Sequence, residues 1–275
     1  MRAATSWNSI RRRSAFLASL EAVRLAFIHR LQIEEELQRQ KEAAESANAA
    51  KDHFLATLSH ELRTPLTPVL IGAGGMAKEP GLPPEIEDGL RMACRNIELE
   101  ARLIDDLLDL IRITRGKLQL HLRKCDAHDL LGHAMDIVRE DIASRQLNLS
   151  VQLYANDHHV LADSSRLQQV FWNVLKNASK FTPPRGVVTV RTFNPKPQAL
   201  EIQISDTGVG IEPEHLERVF DAFEQVGTQR EGLGLGLAIS KAIVEMHRGT
   251  IRAESEGLGK GAKFLIELPA TAPVE

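Results

Sequence analysis

The chain has 275 residues, 43% hydrophobic and 26% charged, with a formal net charge of −3. Those proportions are globular and leave room for two compact domains. The near-neutral balance gives no global reason to expect nucleic acid or an anionic membrane as partner, although Arg2, Arg11, Arg12 and Arg13 make the start locally basic. Cys94 and Cys125 have neither C-x-x-C nor metal-site spacing, so free thiols in a reducing compartment are expected. No apolar run approaches the roughly 18–20 residues of a membrane span, and the start lacks the long apolar core of a secretory signal. The expectation is a cytoplasmic chain, or a cytoplasmic portion of a larger membrane protein.

Phe16, Leu17, Leu20, Val23, Phe27 and Leu31 recur at helical spacing and predict a helix over 14–33. From Ile33 a heptad seam follows: Ile33, Leu37, Gln40, Ala44, Ala47, Lys51, Phe54, Leu58. Its alternating steps of four and three are those of a parallel coiled coil. The alternative is a solvated charged helix, since E-E-E-L-Q-R-Q-K-E would form one by itself. A helix is predicted from about Lys51 to Lys78 although Pro65, Pro68, Gly72, Gly74 and Gly75 all disfavour it. Each proline costs about 3 kcal/mol and each glycine about 1 kcal/mol in an ordinary helix interior. Packing must hold this helix, and a bend is expected near Pro65. E-P-G-L-P-P-E at 79–85 breaks the pattern. A second helix is read from Pro84 to Thr114, with an apolar ladder of Ile86, Leu90, Ala93, Ile97, Leu103, Ile104, Leu107, Leu108 and Ile111. One such hairpin exposes an apolar face; two pair into a four-helix bundle, so a homodimer is predicted.

Beyond Gly116 the period changes to two. Leu118, Leu120 and Leu122 alternate with polar residues and predict a strand. A helix over about 127–145, strands at 148–154 and 159–162, and a helix over 164–179 capped by Asp163 come next. Strands at 187–194 and 199–205, a long loop with short helical turns over 206–231, a helix over 235–247 and strands at 249–255 and 261–268 complete an α+β sandwich.

Three stretches of this second half carry chemistry. In the helix Q-Q-V-F-W-N-V-L-K-N-A-S-K-F, Asn173 and Asn177 lie one turn apart on the flank of the apolar face. Two carboxamides at a core boundary cost desolvation unless something bonds to them. Hydrated Mg²⁺ with phosphate oxygens would do so, and Lys180 could meet phosphate as a point charge; a backbone-bonded asparagine pair is the alternative. In I-S-D-T-G-V-G-I, a strand ends at Asp206, whose carboxylate can accept from an exocyclic amine such as that of adenine. Gly208 and Gly210 permit a tight turn there, and a plain turn is equally open. In G-L-G-L-G-L-A-I, Gly232, Gly234 and Gly236 open a helix whose amino end favours anions; a flexible loop is the alternative. Phe220 and Phe223, beside the acidic and polar loop 221–231, read either as anchors of a lid or as core. In the first half, His60 sits beside Glu61 and one turn before Thr64 in S-H-E-L-R-T-P-L.

The ordered set S-H-E-L-R-T-P-L, N-V-L-K-N-A-S-K-F, D-T-G-V-G-I, F-D-A-F and G-L-G-L-G-L-A-I resembles the sensor histidine kinases of bacterial two-component systems. H-R-G-T-I-R-A-E-S-E-G-L-G-K-G-A-K-F looks like that family's C-terminal glycine signature, and the likeness spans about residues 33–270. The resemblance implies an N-terminal helix and signalling coiled coil over 1–52, a dimerisation and histidine-phosphotransfer hairpin over 53–117, and a catalytic ATP-binding domain of the Bergerat type over 118–275. It implies that Asn173 and Asn177 take Mg²⁺ and phosphates, with Lys180 nearby. It places the adenine amine at Asp206, with Gly208 and Gly210 shaping the pocket, and the phosphate side of ATP at Gly232, Gly234 and Gly236. His60 would be the phosphoacceptor, with Glu61 taking the proton from its other ring nitrogen. Glu61 and Thr64 would hold a water for dephosphorylating the partner, a response regulator receiver domain. Two positions depart from many relatives: Leu233 replaces a threonine, and Gln225 stands where some have a basic residue. Of the 10 histidines only His60 has a phosphotransfer setting; the others, among them His53, His121, His158 and His159, read as ordinary surface or structural residues. A catalytically weak ATP-binding scaffold and a non-kinase ATPase of the same fold are the competing readings, and the S-H-E-L-R-T-P hairpin argues against the second.

Overall fold

A computed structural model describes residues 30, 38–41, 64–77, 79, 81–225 and 233–271. The chain divides into two compact units, residues 1–61 and 62–275. Most of the expected N-terminal helix and of the heptad seam, together with His60, Glu61 and residues 226–232, lie outside the described residues. No helix of the described residues is long and apolar enough to cross a membrane.

In the second unit, helical residues 64–76 (α1) include Pro65, Pro68, Gly72, Gly74 and Gly75, so the helix runs through all five disfavoured positions. Ala73 is buried, and a Cβ on Gly74 would come within 3.9 Å of Cys94 Sγ on the next helix. That helix, α2, spans Pro84–Thr114 as its apolar ladder predicts. Pro84 takes the first turn, where a missing amide costs nothing. Glu85 and Glu87 sit at the amino end and Arg112 at the carboxyl end, each matched to the helix dipole. Val69, Ile71, Met76, Ile86, Met92, Leu99 and Leu107 remain exposed on this hairpin.

The strand expected over Leu118–Leu122 is absent. The segment 117–122 has no ladder partner, and its His121 amide donates to Asp163 Oδ2 at 3.0 Å instead. Alternation there reflects one buried leucine, Leu118, rather than a sheet face. Pairing starts at β1 (Arg123–Asp126), antiparallel to β3 (His159–Ala162). The single helix expected over 127–145 is two: α3 (Ala127–Ile137) and α4 (Arg139–Ser144), separated by Val138 with ψ 3°.

The main sheet has five strands in the order β2-β4-β5-β7-β6: β2 Asn148–Leu153, β4 Val187–Phe193, β5 Ala199–Asp206, β6 Thr250–Glu254 and β7 Lys263–Pro269. Only β2–β4 is parallel. Val188, Val190, Ile202, Ile204, Phe264 and Ile266 are buried while Arg191 is exposed and Thr189, Glu201 and Gln203 are half-buried, the period-two signature of a sheet with one covered face. The covering layer is α3, α5 (Ser164–Phe181) and α6 (Gly236–Met246). Asp163 caps α5 by accepting from the Arg166 amide, and its own amide donates to His247 Nε2 at 3.0 Å, fastening the start of α5 to the end of α6. The helical hairpin and the α+β sandwich are thus both present.

Candidate functional site

The site is built along α5. Leu167, Val170, Phe171, Val174, Leu175 and Ala178 face the core and fix the helix rotation, which sets Asn173 and Asn177 at the boundary. Asn173 is only 5% exposed. Its amide nitrogen donates to the Gly236 carbonyl at 3.0 Å and to Ser240 Oγ at 3.2 Å. Its amide oxygen accepts no hydrogen bond among the described residues. Asn177, half-buried one turn on, makes no side-chain hydrogen bond among them. Buried carboxamides are normally satisfied. Two carboxamide oxygens without a hydrogen bond among the described residues, on side chains one turn apart, fit the oxygen-rich coordination of a hydrated divalent ion shared with phosphates. The alternative of a backbone-bonded pair therefore holds for half of one residue, the Asn173 nitrogen. Lys180 lies on the same helix, with Nζ 5.1 Å from the Phe181 ring centroid.

Two further elements meet α5 at points eight residues apart, about 12 Å along the helix axis. At one, the first residue of α6, Gly236, faces Asn173; a Cβ there would lie 3.4 Å from the amide carbon. Gly234 precedes it with φ 70° and its carbonyl accepts from the Phe223 amide at 3.2 Å. At the other, the turn after β5 closes on the end of α5. The Val209 amide donates to the Phe181 carbonyl at 3.2 Å, and a Cβ on Gly208 would come within 2.5 Å of that oxygen.

Asp206 ends β5. Its Oδ1 accepts from the Gly208 amide at 2.7 Å and the Ala262 amide at 3.3 Å. Burial pushes its carboxyl above the usual aspartate range, and the two amide bonds only partly oppose that. The second oxygen takes no hydrogen bond among the described residues, which leaves an acceptor for an outside donor. The C-terminal glycine signature holds this turn. Gly259 N donates to the Val209 carbonyl at 2.7 Å and Gly261 N to the Gly208 carbonyl at 3.1 Å, while Ser255 Oγ joins the Ile211 amide to the Gly261 carbonyl. Gly210 lies in the same turn with φ 73°.

The phenylalanines separate. Phe220 is core, edge-on to Phe264, whereas Phe223 is 59% exposed. Of the twelve expected site residues, the structure brings Asn173, Asn177 and Lys180 onto one helix, Gly234 and Gly236 to one end of it, and Asp206, Gly208 and Gly210 to the other. Thr64 is exposed on α1, and His60, Glu61 and Gly232 are outside the described residues. Two participants were not singled out from the sequence. Ser240 was legible in principle, being one turn after Gly236 on the same face of α6. The Phe181 carbonyl was not, because a backbone acceptor has no residue signature.

Residues 50–116 match the His Kinase A (phospho-acceptor) domain, and residues 162–272 match the histidine kinase-, DNA gyrase B- and HSP90-like ATPases. The chain is 37% identical over 241 residues to the circadian input-output histidine kinase CikA of Synechococcus elongatus, covering 84% of this chain and 32% of that protein. It is 36% identical over 246 residues to the sensor histidine kinase RcsC of Escherichia coli, covering 87% and 25%. The chain thus spans between a quarter and a third of the length of these relatives. Among solved structures, full-length ShkA in complex with AMPPNP aligns with a TM-score of 0.65 at 31% identity, covering 80% of this chain and 46% of that one. The mycobacterial sensor histidine kinase MprB aligns at 0.50 and 31%, covering 55% of this chain and 99% of that one.

Proposed function

The chain belongs to the sensor histidine kinases of bacterial two-component systems, and from that membership we propose that it moves the γ-phosphoryl group of ATP onto His60 and then to an aspartate of a separate response regulator. The observation that carries the donor half is the meeting of three elements along α5, with unused acceptors at Asn173 and Asp206 on either side. In this reading the adenine amine bonds Asp206, the glycine turn at 208–210 walls the base, and the triphosphate runs along α5 to the amino end of α6. Asn173 and Asn177 would hold Mg²⁺, which would supply charge neutralisation for the transferring phosphoryl group. Lys180 adds positive charge on that side, and Gly232, Gly234 and Gly236 let backbone amides approach. The chemistry then rests on positioning and electrostatics.

On the acceptor side, His60 attacks as neutral imidazole. Glu61 accepts a hydrogen bond from the other ring N–H, which fixes the tautomer and stabilises the positive charge that develops on the ring, and it takes that proton as the phosphoryl group is bound and ADP leaves. Glu61 and Thr64 position a water for the reverse duty, dephosphorylation of the regulator. Residues 53–117 would form the phosphotransfer hairpin, 118–275 the ATP-binding domain and 1–52 the input coil, with a homodimer covering the apolar face of the hairpin. The exposed Val69, Ile71, Ile86, Met92 and Leu99 support that face.

Calorimetric titration with Mg-ATP tests the donor half. Saturable binding by the wild type and at least about tenfold weaker binding by Asp206→Ala are expected, since a hydrogen bond to a charged group contributes about 1.5–3 kcal/mol. Equal affinities, with both proteins folded, would remove Asp206 from the site.

A further inference from the structure

Away from the nucleotide residues, the junction of β1 with α3 faces the start of β3. We propose that Asp126, His158 and His159 form a binding site there for a divalent transition metal of the zinc type. The three residues are half-buried and each offers one ligand atom, all within 4.8 Å of one another. β1 and β3 supply two of them: Asp126 and His159 are directly opposed in the antiparallel ladder, which sends their side chains to the same face. His158 precedes β3, and its ring stacks on His159 with centroids 4.8 Å apart.

The surroundings orient these groups as metal sites require. Asp126 Oδ1 is engaged by the His128 amide at 2.8 Å, leaving Oδ2 as the free ligand atom. His158 Nδ1 faces the Ala155 carbonyl at 3.4 Å, a partner that suits the tautomer with its proton on Nδ1, the one that can offer Nε2 to a metal. Nε2 in turn lies 3.3 Å from Asp126 Oδ2. A divalent ion beside these two atoms could take both as ligands in place of the proton that otherwise pairs them. His159's ring nitrogens take no hydrogen bond among the described residues. His128 is not a ligand: its Nε2 is paired with Thr192 Oγ1 at 3.0 Å, and its ring stacks on His158 at 4.2 Å and fixes that ring's plane.

Two imidazoles and one carboxylate suit zinc rather than magnesium or calcium, which prefer oxygen. In tetrahedral coordination at about 2.1 Å, ligand atoms lie roughly 3.4 Å apart. Side-chain shifts of about 1 Å would close the present cluster, with a fourth position left to water. The amino end of α3 disfavours a cation, and the Asp126 carboxylate offsets it. A bound ion would fasten the β1–α3 junction to β3, which runs directly into Asp163, the cap of α5.

The test uses untagged chain stripped with chelator. One Zn²⁺ per chain in calorimetry, a raised melting temperature with Zn²⁺, and visible ligand-field absorption with Co²⁺ of a four- or five-coordinate ion are expected. His159→Gln should weaken Zn²⁺ binding at least about tenfold, and the exposed His133→Ala should not. Asp126→Asn keeps the helix cap, since Asn and Asp cap equally; reduced Zn²⁺ affinity with an unchanged metal-free melting temperature would support the site independently. No saturable Zn²⁺ binding by the wild type would overturn the proposal and leave an Asp126–His158 ion pair. Equal affinity in the wild type and His159→Gln would overturn it too. None of these readouts involves ATP, so the outcome is separable from kinase activity.

Discussion

At Asp206 one carboxylate oxygen closes the turn onto Gly208 and Ala262, and the other, free of hydrogen bonds among the described residues, is the acceptor proposed for the nucleotide. Its carboxyl is held above the ordinary range by burial, so the proposed acceptor would be protonated at a higher pH than a surface aspartate. Nucleotide affinity should therefore fall on mild acidification in the wild type. An Asp206→Asn variant, measured by the same titration, should bind weakly with little pH dependence. Gly261 packs where no side chain fits: φ is 72° and a Cβ would overlap the Asp206 carbonyl oxygen. Gly261→Ala should cost at least about 1 kcal/mol in the urea midpoint and weaken nucleotide binding as well. The aspartate and the glycines were legible in the sequence, because a strand ending in D-x-G-x-G constrains both chemistry and backbone. What they bond to was not, because carbonyls and amides brought from 50 residues away carry no local pattern.

Helix α2 is bound to the sandwich through two side chains of its second half, Asp109 and Arg102. Asp109, 6% exposed, pairs with Arg166 and accepts from Gln169 Nε2 at 3.2 Å, both on α5. Arg102 lies 4.1 Å from the Trp172 ring centroid. Arg166→Ala strands a buried carboxylate and should destabilise the chain by about 3–5 kcal/mol, read as a denaturant midpoint; Asp109→Asn should cost less. Asp106 is pushed up to about 6, first by burial and then by Asp109. A carboxyl raised in the folded state favours folding below its unfolded value and loses that contribution as pH rises through the folded value. The stability difference between wild type and Asp106→Asn should therefore change between pH 3.8 and about 6, with the wild type losing ground as pH rises; a pH-independent difference would contradict the assignment. The bounds of α2 were readable because a proline start and a long 3.6-residue ladder point the same way. The segment 117–122 was misread because alternation alone does not supply a pairing strand, and the break at Val138 was hidden inside one continuous helical pattern.

For the whole molecule, the apolar residues exposed on α1 and α2 fit the proposed homodimer, in which a second hairpin would cover them. Sedimentation of the intact chain should give a dimer, and Ile86→Glu with Met92→Glu should shift it toward monomer without unfolding the sandwich. A homodimer, a nucleotide site and a phosphoacceptor are three separable parts, and only their conjunction makes a kinase. The most direct test is incubation of the chain with Mg²⁺ and γ-labelled ATP, with His60→Gln and Asn173→Ala in parallel. Acid-labile, alkali-stable label on the wild type, absent from both variants, is the predicted result. Label that persists in His60→Gln, or none on a folded, ATP-binding wild type, would contradict phosphoryl transfer to His60.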